Sequence, residues 1–121
     1  MGCTARPGRE LGRAFAAFSL LAASIVLFWR DNAILLALSL LLGAAALALW
    51  HDRYDLSVFA IVAVLGTAAE LVFVSAGVWR YANPSLFGIP LWFPPAFGTA
   101  ALCGERVVRG AVGLWNPARA S

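Results

Sequence analysis

Apolar positions in this chain come in long unbroken blocks, with short polar stretches between them. Four blocks stand out, at 14–29, 33–50, 56–79 and 89–104, each bounded by charge or by a turn. Blocks without a polar face predict helices that are apolar all round, as in a membrane span. At about 1.5 Å per residue, the second block reaches about 27 Å and the third about 36 Å. The first and fourth reach about 24 Å each, against a hydrocarbon core about 30 Å thick. The pattern therefore predicts an all-α protein, an integral membrane bundle of four transmembrane helices with an aromatic and proline-rich outer loop. The helices are expected over about 12–29, 33–50, 56–79 and 89–106 of a single domain 1–121. Residues 107–121 are expected to form a cytoplasmic tail, with a short interfacial helix that places Trp115 at the headgroups.

The three residues Arg30-Asp31-Asn32 leave room only for a tight antiparallel hairpin between the first two helices. A cleaved signal peptide is the rival reading of the first block. Arg6, Arg9 and Arg13 would be its basic region and Ala22-Ala23-Ser24 its small residues. The apolar stretch continues past that point to Trp29, which favours a retained helix.

Composition sharpens this picture. Of 121 residues, 62% are apolar and 12% charged, and a soluble domain usually has about 25% charged residues. A small soluble fold needs more polar surface than that, and a disordered chain needs more still. All nine basic residues are arginine. They are scattered between apolar blocks and form no stripe suited to nucleic acid. Their placement reports orientation instead. With four crossings, Arg6, Arg9, Arg13, Arg53, Arg106, Arg109 and Arg119 share one side, and Arg30 and Arg80 the other. The positive-inside rule puts both termini in the cytoplasm, and the arginine- and alanine-rich composition suggests a bacterial inner membrane. Trp29, Trp79 and Trp92 are expected at the outer interface and Trp50 at the inner one, ring in lipid and N–H toward water. Cys3 and Cys103 have neither metal nor redox spacing, and Arg6 breaks the myristoylation pattern at Gly2.

Glu70 is the most informative residue for chemistry. It lies near the middle of the third block, where an acid costs about 2.5–3.5 kcal/mol. Such an acid is protonated, paired or turned to a polar cavity. Ala63, Gly66, Thr67, Phe73, Val74, Gly77 and Tyr81 share its helical face. Mostly small or polar, that face is expected to pack on other helices or to line a cavity. Between 79 and 98, Pro84, Pro90, Pro94 and Pro95 interrupt regular structure among large rings, so a helix there starts near Pro94 or Pro95. Irregular backbone cannot face hydrocarbon. The stretch is expected to cap the outer end of the bundle, or to form a lid over a cavity at Glu70. Glu70 is thus the candidate catalytic residue, and Trp79, Arg80, Tyr81 and Trp92 are candidate substrate-binding residues. His51, Asp52, Arg53 and Asp55 share one turn but match no metal-ligand spacing. Ser24, Ser39, Ser57 and Ser75 have no evident base, and neither a metal nor a cofactor is called for.

The residues from Glu70 through Gly77-Val78-Trp79-Arg80-Tyr81 and Pro84 to Gly88-Ile89-Pro90-Leu91-Trp92, then Pro94 and Gly98, look like a pattern found in small bacterial multi-pass membrane proteins. More loosely, Glu70, Gly77, Tyr81, Gly88 and Pro90 resemble the membrane protein family named for carotenoid biosynthesis. That resemblance, confined to 70–98, implies handling of a lipid or isoprenoid near Glu70. Two further readings fit the same residues. In one, the chain is a non-enzymatic subunit or assembly partner of a membrane complex, and Glu70 is a packing hydrogen bond. In the other it is a small oligomeric transporter, with Gly66 and Thr67 giving a second copy close approach. In each reading the bilayer is its immediate partner and nucleic acid is not.

Overall fold

A computed structural model describes residues 6–116; Cys3 and Arg119 lie outside them. Helix α1 spans Pro7–Phe28, α2 Asn32–Leu49, α3 Arg53–Ser75 and α4 Phe93–Trp115. Successive helices run antiparallel. One pole gathers Glu10, Trp50, Asp55 and Arg106, and the opposite pole gathers Asn32, Asn83 and Trp92.

Three of the four helices, α1, α2 and α3, are long and apolar enough to cross a membrane. Their outward faces expose large apolar side chains such as Val26, Leu27, Leu41, Val64, Leu65 and Val72. An apolar girdle of that extent is suited to a lipid environment. Helix α4 differs. Its apolar segment runs only from Phe93 to Gly104, and Glu105, Arg106 and Arg109 follow. It packs against all three other helices and contributes the most buried residues.

Helix boundaries depart from the apolar blocks for local reasons. Helix α1 begins at Pro7, earlier than expected. Proline suits a first helical position and Glu10 complements the dipole of that turn. Helix α3 stops at Ser75, although the apolar block continues to Trp79. Gly77 takes φ +79°, its N–H bonds to Val74 O at 3.1 Å, and Val78 N–H bonds to Phe73 O at 3.0 Å. That pair of bonds closes the helix and turns the chain out. Helix α4 starts at Phe93, with prolines in its first turn, and residues 89–92 belong to the loop. It also continues past 106 to Trp115, so the expected break before an interfacial tail is absent, and Trp115 is 89% exposed.

The core follows three- and four-residue spacings. Asn32, Leu35, Ser39, Gly43, Ala46 and Trp50 line the inner side of α2, and Ala96, Thr99, Cys103, Arg106, Gly110 and Gly113 lie along one face of α4. Small residues bring the axes together. An added Cβ at Gly110 would stand 3.1 Å from the Leu11 backbone. One at Gly98 would stand 3.0 Å from the Phe59 ring, and one at Gly66 would fall within the ring of Phe97. The Gly66 face of α3 is therefore occupied by the chain's own α4, which removes it as a ready contact for a second copy.

Candidate functional site

The sequence singles out the C-terminal end of α3, and the structure assembles most of that constellation. Glu70 is half-buried one turn before α3 ends, and the chain folds back after Gly77. The same Glu70 oxygen, Oε1, accepts the Trp79 indole N–H at 3.2 Å and the Tyr81 hydroxyl. Burial and the Glu70 carboxylate hold the Tyr81 phenol well above its usual range. Tyr81 meets Trp92 and Phe93 edge to face, at 6.5 and 6.1 Å, and Phe93 stacks on Phe97 at 5.0 Å. Arg80 is exposed and without an ion pair among the described residues.

The loop from 76 to 92 is fastened to the α1–α2 hairpin by two asparagines. Asn32 Nδ2 donates to Asn83 O at 2.8 Å and to Ser85 Oγ at 2.7 Å, and Asn32 Oδ1 accepts the Trp92 indole N–H at 3.2 Å. Asn83 Nδ2 donates to Arg30 O at 2.9 Å. Asp31 caps α2 by accepting from Ala33 and Ile34 N–H, both at 3.1 Å. Leu86 and Ile89 form a small bridge, with Phe87 at φ +52° and Gly88 at φ +81° in its turn. Gly88 lies so close to α3 that an added Cβ would stand 2.7 Å from Val74 Cγ1. The end of the irregular stretch lies against protein, with Ile89, Pro90 and Trp92 buried, while its tip at Leu86 and Phe87 stays exposed.

The opposite pole holds a larger polar cluster that sequence reasoning missed. Asp55 is fully enclosed at the start of α3. Arg106 bonds it in bidentate fashion, with Nε to Oδ1 at 3.0 Å and Nη2 to Oδ2. Arg106 also reaches Glu10 Oε2 at 3.4 Å and Asp52 Oδ2 at 3.6 Å. Arg109 bonds Asp52 Oδ2 at 3.0 Å, stands 3.8 Å from Asp55 Oδ1 and touches Glu105. Asp52 and Asp55 accept each other's backbone N–H at 2.7 and 3.1 Å, a reciprocal cap for α3. The Asp55 N–H and Arg109 hold the Asp52 carboxyl down at about 2.

Two tryptophans expected as interfacial anchors are buried in these clusters. Trp50 is 3% exposed and donates to Glu10 at 3.0 Å, with the Arg106 guanidinium 5.7 Å from its ring. Trp92 is 9% exposed and donates to Asn32. An indole N–H buried with its ring needs an acceptor, and both acceptors lie far away in sequence. Trp29 and Trp79 stay exposed, and Arg30 lies 4.9 Å from the Trp29 ring. The missed cluster did leave a signal. Glu10, Asp52, Asp55 and Glu105 all fall on the side that carries seven arginines, so a count of both signs by side forecasts ion pairs there.

No protein family, curated protein or solved structure matches this chain.

Proposed function

We propose that the chain is a small integral membrane protein that crosses the bilayer four times and acts as a non-enzymatic component of a membrane assembly. In this reading both termini face the cytoplasm of a bacterial cell. The observation that carries it is the state of Glu70, whose Oε1 is taken up by Trp79 and Tyr81 of the same chain. The one acid at membrane depth fastens the outer loop to α3. A fourth crossing is supported by the two ends of α4. Trp92 bonds Asn32 at one pole and Arg106 bonds Glu10 and Asp55 at the other, about 21 Å apart along the helix. The two guanidiniums of α4 have acid partners at the pole where α1 begins, so neither has to lie unpaired in lipid.

The test compares two substitutions at Glu70. Glu70→Gln keeps an acceptor for Trp79 and Tyr81, and its thermal unfolding in detergent should match the native protein. Glu70→Leu strands the half-buried Tyr81 hydroxyl and should lower stability by about 1–3 kcal/mol. Equal loss in both variants would contradict the fastening role.

A second reading keeps the lipid- or isoprenoid-handling expectation. Its support is that Glu70 Oε2 accepts no hydrogen bond from a described residue, beside the aromatic wall of Tyr81, Trp92 and Phe93. In that case Glu70→Gln would leave the fold intact but change the lipid that copurifies with the protein.

A further inference from the structure

The polar cluster joining α1, α3 and α4 is not balanced in charge. Asp55 is fully enclosed, and the Glu105 and Glu10 side chains are 11% and 16% exposed. Two guanidiniums serve them, Arg106 and Arg109, whose side chains are 14% and 38% exposed. Asp52, half exposed, takes part of Arg109 as well. Three enclosed carboxylates against two cations leave one negative charge uncompensated where water is largely excluded, a costly arrangement.

The hydrogen bonds show where the deficit falls. Asp55 receives both nitrogens of Arg106 and the Asp52 N–H. Glu10 receives Arg106 and the Trp50 indole. Glu105 ion-pairs with the edge of Arg109 through Oε2 and stands 4.0 Å from Arg106 Nε, so it shares both guanidiniums with the other acids, and neither of its oxygens, both sealed from solvent, accepts an aligned hydrogen bond from a described residue. We infer that this pole is a proton-binding site, in which Glu105 carries the proton that balances the enclosed charge and whose release loosens the joint of α4 with α3.

Glu105 lies beyond the apolar segment of α4 and beside a groove of about 380 Å³ lined by Tyr54, Glu105, Val108 and Arg109. The groove brings solvent to the Glu105 side chain, although its two oxygens face inward. The groups facing it are Asp52, Tyr54 and Asp55 from the start of α3, Arg106 and Arg109 from α4 and Glu10 from α1. Tyr54 lies under the Arg109 guanidinium at 5.2 Å. His51 is exposed and turned back to Leu47 O at 3.0 Å, and Arg53 is exposed. Burial first, and then the Asp55 carboxyl, push Glu105 up from its ordinary 4.5 to about 7, against the pull of Arg109 and Arg106.

The folded chain holds this proton more tightly than the unfolded chain, so its contribution to stability is complete below 4.5 and is lost as pH rises through about 7. Asp52 works oppositely. Its contribution is present above 3.8 and is lost only as pH falls through about 2, outside that window. The site belongs to the fold and stands whichever side of a membrane the pole faces.

Thermal unfolding of the detergent-solubilised chain between about pH 5 and pH 8 tests it. The native protein should lose several degrees of melting temperature across that range, whereas Glu105→Gln, a permanent mimic of the protonated acid, should be flat. Infrared difference spectra in a Glu70→Gln background, which removes the one carboxyl at membrane depth, should show a protonated carboxyl band that disappears over the same range. That measurement needs no substitution in the cluster. A native protein with no pH dependence, a missing titrating band, or a Glu105→Gln variant that retains the native slope would each overturn the assignment.

Discussion

Two acids in this chain sit where an acid is costly, and they are met in different ways. Glu70 is alone in an apolar block, so its isolation is visible without a fold. Its partners Trp79 and Tyr81 come from the next turn of chain. Asp55 stands in a charged turn that gives every appearance of solvation, yet it is fully enclosed because Arg106 arrives from 51 residues away. Removing that arginine exposes the difference. Arg106→Leu should cost about 3–5 kcal/mol by stranding a buried carboxylate. The double variant with Asp55→Leu should recover part of that loss. Chemical or thermal unfolding in detergent measures both, and a double variant worse than Arg106→Leu alone would show that Asp55 is held by the Asp52 N–H and Arg109 even without Arg106.

Among elements, α4 organises the bundle and α3 buries the fewest of its own side chains. Apart from Asp55, no residue of α3 is fully buried. It is held where Phe59 fits against Gly43 and Gly98, where Phe97 lies over Gly66, and where Gly88 rests on Val74. Gly66→Val should displace Phe97 and cost about 1–3 kcal/mol. Gly12, exposed on α1 with open space around it, is the control. Gly12→Ala should stabilise by about 0.4–1 kcal/mol through the unfolded chain. The loop depends on a different device. Asn32 serves Asn83, Ser85 and Trp92 at once, so Asn32→Ala should free residues 76–92 for protease while the helices stay intact.

At the scale of the whole molecule, orientation and charge pairing are separate matters. Arg106 and Arg109 are largely committed to acids inside the fold. Arg6, Arg9, Arg13 and Arg53 remain exposed at the same pole, against Arg30 and Arg80 at the other. The proposed four-crossing topology would therefore retain its arginine bias after the internal pairs are set aside. Reporter fusions at the two ends should both report the cytoplasm, and ends reporting opposite sides would rule out the fourth crossing.

The apolar blocks alone determined the four helices, the tight α1–α2 turn and the irregular, proline-bound stretch before α4, because those features follow from local hydropathy and backbone sterics. The isolation of Glu70 was legible for the same reason. Pairings across helices were decided by tertiary structure. Trp50 and Trp92 turned inward because Glu10 and Asn32 stood at matching depth, α4 ran on to Trp115 because Arg106 and Arg109 found acids beside them, and Gly66 was filled by Phe97. A sequence fixes which face a residue occupies on its own helix. Which side chain meets it there is set by how helices of unlike length stack side by side.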